Sequence, residues 1–245
     1  MSLALARRAS AEFAGTALLV TAVVGSGIAA TRLSPTDTGL QLLENAIATA
    51  LALGALILTF GPVSGAHLNP VVSAVDWWLG RRAGTGLTGR DLVAYAAAQT
   101  GGAITGAVLA HLMFGLPAVT RSRTDRAGGH LWLAEVVATA GLVLLVFALA
   151  RSGRTSTAPP AVGAYIGAAY WFTSSTSFAN PAVTVGRAFS DTFAGIAPAS
   201  VPGFLVAQLV GGLVAVAALA LWYPHAGDAA DAVVVPHLTP ETETR

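Results

Sequence analysis

The chain has 245 residues, of which 54% are hydrophobic and 10% charged, with a formal net charge of +1 and a mean hydropathy of +0.68. A soluble domain carries roughly 25% charged residues, so this composition marks an integral membrane protein, and the near-zero charge gives no ground for nucleic-acid binding. There is no Cys, which excludes disulfides, cysteine metal sites and thiol chemistry.

The opening "MSLALARRAS" sets Arg7 and Arg8 before a long apolar run. That run is too long for a signal-peptide core and reads as a retained first span. A helix needs about 20 residues to cross roughly 30 Å of hydrocarbon. Six stretches meet that length: 12–30, 40–60, 92–114, 131–150, 158–177 and 202–223. Two apolar pieces, 69–79 and 180–189, are left over. Each makes a helix of about 15 Å, half a bilayer. They are predicted to enter the membrane from opposite sides as re-entrant half-helices. The expected fold is an all-α membrane protein with six transmembrane helices plus two half-helices.

With the N-terminus inside, Arg7, Arg8, Arg81, Arg82, Arg90, Arg151, Arg154 and Arg245 fall on the cytoplasmic side. Arg32, Arg121, Arg123, Arg126 and Arg187 fall outside. This bias fits the positive-inside rule and places a multi-pass protein in the cell membrane with both termini cytoplasmic. Residues 1–223 are expected to form one channel domain, and 224–245 a polar cytoplasmic tail.

The two halves echo each other. "AEFAGTALLV" begins the first span and "AEVVATAGLVLLV" the fourth; "AAAQTGGAITGAVLA" in the third resembles "VAQLVGGLVAVAAL" in the sixth. The repeats cover about 10–115 and about 130–223. Three spans per half is an odd number, so the copies are inverted across the membrane, a plan used by transport proteins. Small residues such as Gly163 and Gly167 permit close helix approach.

"GAHLNPVVS" and "SFANPAVT" occupy matched positions in the repeats. With 3 Asn and 12 Pro in the chain, chance gives only about 0.15 Asn-Pro pairs. Asn is a preferred N-cap, and Pro suits the first helical position. Asn69-Pro70-Val71 and Asn180-Pro181-Ala182 therefore each start a half-helix. Irregular backbone at mid-membrane depth is tolerated only inside protein or along a watery cavity. Two facing helix N-termini, with unpaired N–H groups and partial positive charge, would repel cations and protons while neutral polar molecules pass. The Asn side chains are expected to donate to the permeant.

These motifs, with six spans, two half-helices and the repeat-initial Glu12 and Glu135, resemble the major intrinsic proteins, the aquaporins and aquaglyceroporins, over residues 11 to about 223. The resemblance implies a homotetramer with one pore per subunit, no cofactor and no metal. It implies that Glu12 and Glu135 are buried acids holding the loops before the half-helices. Taken alone, they also suit solvated helix starts. His67 would sit at the cytoplasmic approach to the pore, or only pack its loop.

The family's outer constriction maps by counting from the two Asn residues onto Thr49, Ala168, Ser177 and Val183. The last is usually Arg. Its replacement by Val removes five donors and a fixed charge, and the small partners widen the opening. Phe178 is adjacent to Ser177 and would close the constriction if the loop shifts. Arg187, four residues after Val183, is either a looser substitute or, the preferred reading, an interfacial residue reaching for water and lipid phosphate. Thr and Val at these positions resemble bacterial aquaglyceroporins associated with arsenic resistance. The implied cargo is small neutral solutes: glycerol-like polyols, water, and arsenite as neutral trihydroxyarsine.

Other classes fit less well. A coupled transporter normally carries ionisable groups in mid-membrane, whereas the glutamates here, Glu12, Glu44 and Glu135, lie near span ends. An enzyme would need a nucleophile, acid pair or ligand cluster, and the sequence presents none. An ordinary water-selective aquaporin remains the alternative.

Overall fold

The computed structural model describes residues 2–223 together with Asp228 and Val233. The tail expected over 224–245 otherwise lies outside the described residues. The described regular structure is entirely helical. The first half contains α1 (Leu3–Leu33), α2 (Thr38–Ser64), α3 (Pro70–Gly80) and α4 (Gly89–Met113). The second contains α5 (Gly129–Arg151), α6 (Ala158–Phe172), α7 (Pro181–Arg187) and α8 (Val201–Trp222).

Local chemistry explains where these helices begin. The Ser2 hydroxyl accepts from Leu5 N at 3.2 Å, and Asp37 accepts from Leu40 N at 2.9 Å. Thr88 and Asp91 form a capping box at the start of α4. α2 ends at Gly65, whose φ of +87° is the left-handed conformation that glycine adopts without strain.

Five helices, α1, α2, α4, α5 and the α8 region, are long and apolar enough to cross a membrane. The remaining expected span, fifth in chain order, is shorter than 158–177. α6 has 15 residues, about 22 Å of helix, and follows a 3-10 turn at Thr155–Thr157. It stops at Phe172 because Thr173 turns extended, with φ −111° and ψ 137°, while its hydroxyl takes the Ala169 carbonyl at 2.6 Å. Residues 173–179 leave the helix and run inward. The half-helices shift by one or two residues from expectation, and α7 is the shorter, ending at Arg187.

Small residues set the helix spacing. A Cβ on Gly102 would lie 2.3 Å from Phe13 O, and one on Gly106 would lie 2.2 Å from Ala17 O, so α4 touches the backbone of α1. Gly211 stands in the same relation to Val136 O at 2.6 Å, joining α8 to α5, and Gly163 to Ala50 O at 2.6 Å, joining α6 to α2. In lipid such close packing replaces the hydrophobic effect as the force between helices. Leu51, Leu213 and Leu221 are exposed on the outer faces, as lipid contact requires.

Gly106→Val should push α1 and α4 apart. Overpacking of this kind costs about 1–3 kcal/mol, and the expected outcome is a lower midpoint of thermal unfolding in detergent.

Candidate functional site

The two half-helices meet at their N-termini. Asn69 caps α3, its Oδ1 accepting from Val71 N at 3.0 Å. Asn180 caps α7, its Oδ1 accepting from Ala182 N at 3.0 Å and Val183 N at 3.2 Å. Each amide nitrogen reaches across to the other half: Asn69 Nδ2 donates to Ala179 O, and Asn180 Nδ2 donates to Leu68 O, both at 2.7 Å. One N–H of each amide is thus committed to the opposite loop. An Asn amide carries two N–H donors, so one per side chain remains for a solute.

The loops leading to these caps are unusual. Ala66, Leu68, Thr176, Ser177 and Ala179 all have positive φ, between 48° and 62°. For residues other than glycine this costs of order 1 kcal/mol or more each. The compensation is a buried carboxylate in each half. Glu12 Oε1 accepts from the Ser64 hydroxyl at 2.6 Å and His67 N at 3.0 Å; its Oε2 accepts from Leu68 N at 2.6 Å and Gln99 Nε2 at 2.8 Å. Glu135 repeats the set with the Ser175 hydroxyl at 2.6 Å, Phe178 N at 2.9 Å, Ala179 N at 2.8 Å and Gln208 Nε2 at 2.6 Å. Both glutamates are completely buried. The two glutamines also donate, Gln99 to Ser73 Oγ at 3.1 Å and Gln208 to Thr184 Oγ1 at 2.9 Å, each on the adjacent half-helix. The glutamines were not singled out from the sequence, although both lie in the repeated "AQ" segments that end in Gly-Gly.

Between the halves runs a cavity of about 490 Å³. α2 lines it with Thr49, Leu53, Ile57 and Gly61 at four-residue spacing, which spans about 18 Å, and with Leu58 and Pro62 beside that row. α6 contributes Val162, Ile166 and Tyr170 in the same rhythm. The opposite wall is the pair of loops, with Asn69 and Asn180 between them. The carbonyls of Ala66, His67, Ser177 and Phe178 accept no hydrogen bond from described residues. The α2 and α6 side is thus mostly apolar, and the loop side carries backbone acceptors that no described residue occupies. Among the described residues no carboxylate lines the cavity, and no cluster of three or more potential metal ligands occurs.

Thr49, Ser177 and Val183 all line the cavity, Thr49 from α2 and the other two from the opposite side, each buried. The Ser177 hydroxyl has no hydrogen-bond partner among described residues. Ala168 is a correction. It is exposed on the outer side of α6 and does not line the cavity. Ala168 stands two residues, about 200°, from both Ile166 and Tyr170 around the helix, and those two face the cavity. Counting back from Asn180 fixed a chain distance but not the rotation of α6.

Arg187 is a second correction. The preferred reading placed it at the interface, yet it is 2% exposed and on the cavity wall. Its Nε donates to Ala194 O. Its guanidinium lies 3.4 Å from the centroid of the Phe178 ring. Arg126, which no motif marks, approaches the same ring at 5.1 Å and donates from Nε to Gly195 O at 2.8 Å. Consecutive carbonyls thus hold two cations around one aromatic ring, an arrangement worth about 0.5–2 kcal/mol per contact. Phe178 also packs edge-on against Phe204 at 5.0 Å, so it lines the outer cavity as a fixed buttress. On the inner side His67 packs edge-on against Tyr95 at 5.6 Å, and its Nδ1 is 3.0 Å from Ser73 Oγ. Its Nε2 has no partner among described residues, and the ring lines the cavity. Val233 reaches the cavity wall from the C-terminal segment.

Comparison with known proteins agrees with this architecture. Residues 1–177 match the family described as Major intrinsic protein. The chain belongs to the major intrinsic protein family. It is 52% identical over 217 residues, 89% of each chain, to Aquaglyceroporin AqpS of Rhizobium meliloti (strain 1021). It is 32% identical to Aquaporin-5 of Rattus norvegicus over 63% of this chain and 57% of that one. The fold resembles the X-ray structure of the aquaglyceroporin from Plasmodium falciparum, with a TM-score of 0.66 at 21% identity, covering 91% of this chain and 99% of that one. This member of the major intrinsic protein family is a multi-pass membrane channel that passes small neutral solutes, and not an enzyme.

Within the family plan, each buried carboxylate couples one outer helix to one pore loop, so the charge serves as an acceptor. Glu135→Gln replaces an acceptor with a group that donates from one side. At least one of the Phe178 and Ala179 N–H groups would lose its partner, at about 1–3 kcal/mol. The variant should be less stable to heat in detergent than Glu135→Asp, which keeps the charge.

Proposed function

We propose that this chain conducts glycerol-like polyols and water passively, and arsenite as neutral trihydroxyarsine. The observation that carries the reading is the cavity wall at Thr49, Ser177 and Val183, where small side chains stand and Val183 replaces the arginine expected from the family resemblance. A wider opening with hydroxyl groups suits a solute larger than water that carries several hydroxyls. The mostly apolar side formed by α2 and α6 suits the carbon face of a polyol, and the carbonyls on the loop side suit its hydroxyls. The name of the Rhizobium meliloti relative, an aquaglyceroporin, supports the polyol reading. The arsenite assignment rests on Thr49 and Val183.

In this reading Asn69 and Asn180 orient the permeant with their remaining N–H groups, and the two helix N-termini supply a positive barrier against cations. Arg187 supplies donors at the outer end in place of the missing arginine, set back one helical turn from Val183. Glu12 and Glu135 hold the loops. The chain works as a homotetramer in the cell membrane, each subunit with its own pore, both termini being cytoplasmic. Residues 1–223 form the channel domain, with repeats at about 10–115 and about 130–223.

The test compares passive uptake of glycerol, arsenite and water into proteoliposomes against empty vesicles. Rapid glycerol and arsenite uptake, driven by concentration alone, is expected. Water flux without glycerol flux would instead identify a water-selective pore. Val183→Arg should narrow the opening, lowering glycerol and arsenite flux about tenfold and water flux less. Unchanged glycerol flux in the folded variant would remove Val183 from the filter.

A further inference from the structure

We propose that Tyr170, and not the residue at the counted position 168, sets the upper size limit for solutes at the outer constriction. The inference rests on the channel reading above and concerns which side chain does the sorting. Tyr170 is 3% exposed and lies on the cavity wall at the outer end of the Val162–Ile166–Tyr170 stripe. Its hydroxyl bridges from α6 to α2, meeting Thr49 Oγ1 at 3.2 Å. The other uncharged groups there, Thr49, Ser177 and Val183, are small. Tyr170 is therefore the largest uncharged ring at this level that is not already clamped from several sides. Phe178, the other aromatic, is held against the loop side by Arg187, Arg126 and Phe204, whereas Tyr170 stands on the α6 side with its hydroxyl tethered to Thr49, so the width is set between a fixed ring and Tyr170.

The hydrogen bond also sets the polarity of the constriction. A phenol has a single proton, and donation to Thr49 commits it. Tyr170 Oη then presents only lone pairs to a solute. Thr49 and Ser177 keep their own hydroxyl protons to offer, and the Arg187 guanidinium has N–H groups beyond the one bound to Ala194 O. A neutral polyol can donate to Tyr170 while accepting from the others. Ring size limits the cross-section, and this donor–acceptor division favours hydroxylated solutes within that limit.

The experiment uses proteoliposomes of the full chain and stopped-flow shrinkage with water, glycerol, a four-carbon and a five-carbon polyol. Tyr170→Ala should raise five-carbon polyol permeability relative to glycerol by about tenfold. Tyr170→Phe keeps the ring and should keep the size limit. Ala168→Phe should leave the whole solute series unchanged. Should the alanine variant not fold, Tyr170→Trp tests the same idea in reverse, with glycerol flux falling more than water flux. An unaltered solute ranking in both Tyr170→Ala and Tyr170→Trp, or loss of glycerol flux in Ala168→Phe, overturns the assignment. A wild-type protein that passes none of the solutes overturns the channel reading itself, and the Tyr170 assignment with it.

Discussion

A carboxylate deep in a membrane protein is tolerable only when donors surround it, and here the donors come from the backbone that most needs holding. Glu12 and Glu135 each accept four hydrogen bonds, two of them from consecutive backbone N–H groups of a loop that runs through left-handed conformations. These hydrogen bonds offset both the cost of burying the charge and the strain of the loop. Remove the acceptor, and the loop has no reason to keep a conformation that turns its carbonyls away from protein donors. The half-helices then lose the platform from which their caps reach across to the other half. The cavity's polar wall is a consequence of this bond set.

The hydroxyl and amide partners come in matched pairs: Ser64 with Ser175, Gln99 with Gln208, Ser73 with Thr184. The side chains between them differ. His67 on the inner side corresponds to Phe178 on the outer, and Asp76 to Arg187. The scaffold is thus repeated while the two mouths are not. The inner side carries an imidazole on the cavity wall, while Asp76 is fully buried away from the cavity, its Oδ2 accepting from Leu87 N at 2.7 Å. The outer carries an aromatic ring between two cations. Symmetry builds the passage, and divergence at a few positions gives its ends separate chemistry.

The legible parts of the sequence were those governed by local chemistry. Asn followed by Pro starts a helix by capping alone, so both half-helices could be read from four residues. Apolar run length located five spans well. The fifth span is shorter than hydropathy indicates because Thr173 to Ser177 are neutral to hydropathy, and hydrogen bonds from Ser175, Phe178 and Ala179 to Glu135 draw the segment away from the helix axis. That early stop goes with a rotation of α6 that turns Ala168 outward and Tyr170 inward. Rotation about a helix axis is set by packing partners such as Ala50 against Gly163, which spacing from a distant motif does not encode. Arg187 was misjudged for a related reason. A lone arginine near a span end usually seeks water, and its alternative depends on Ala194 O and Phe178 folding back over it. Arg126 comes from a loop more than 50 residues upstream of Phe178, and nothing local marks it.

The crossed amides have a consequence for how the protein is made. Asn69 and its acceptor at Ala179 are separated by 110 residues, and Asn180 and its acceptor at Leu68 by 112. At translation rates of roughly 5–20 residues per second, the first half waits for roughly 5–20 s before the second supplies its partner groups. During that interval Leu68 O and Asn69 Nδ2 lack the partners they have in the finished fold, while the Asn69 Oδ1 cap on Val71 N is local and needs no second half. Closure of the passage through these bonds requires both halves of one polypeptide.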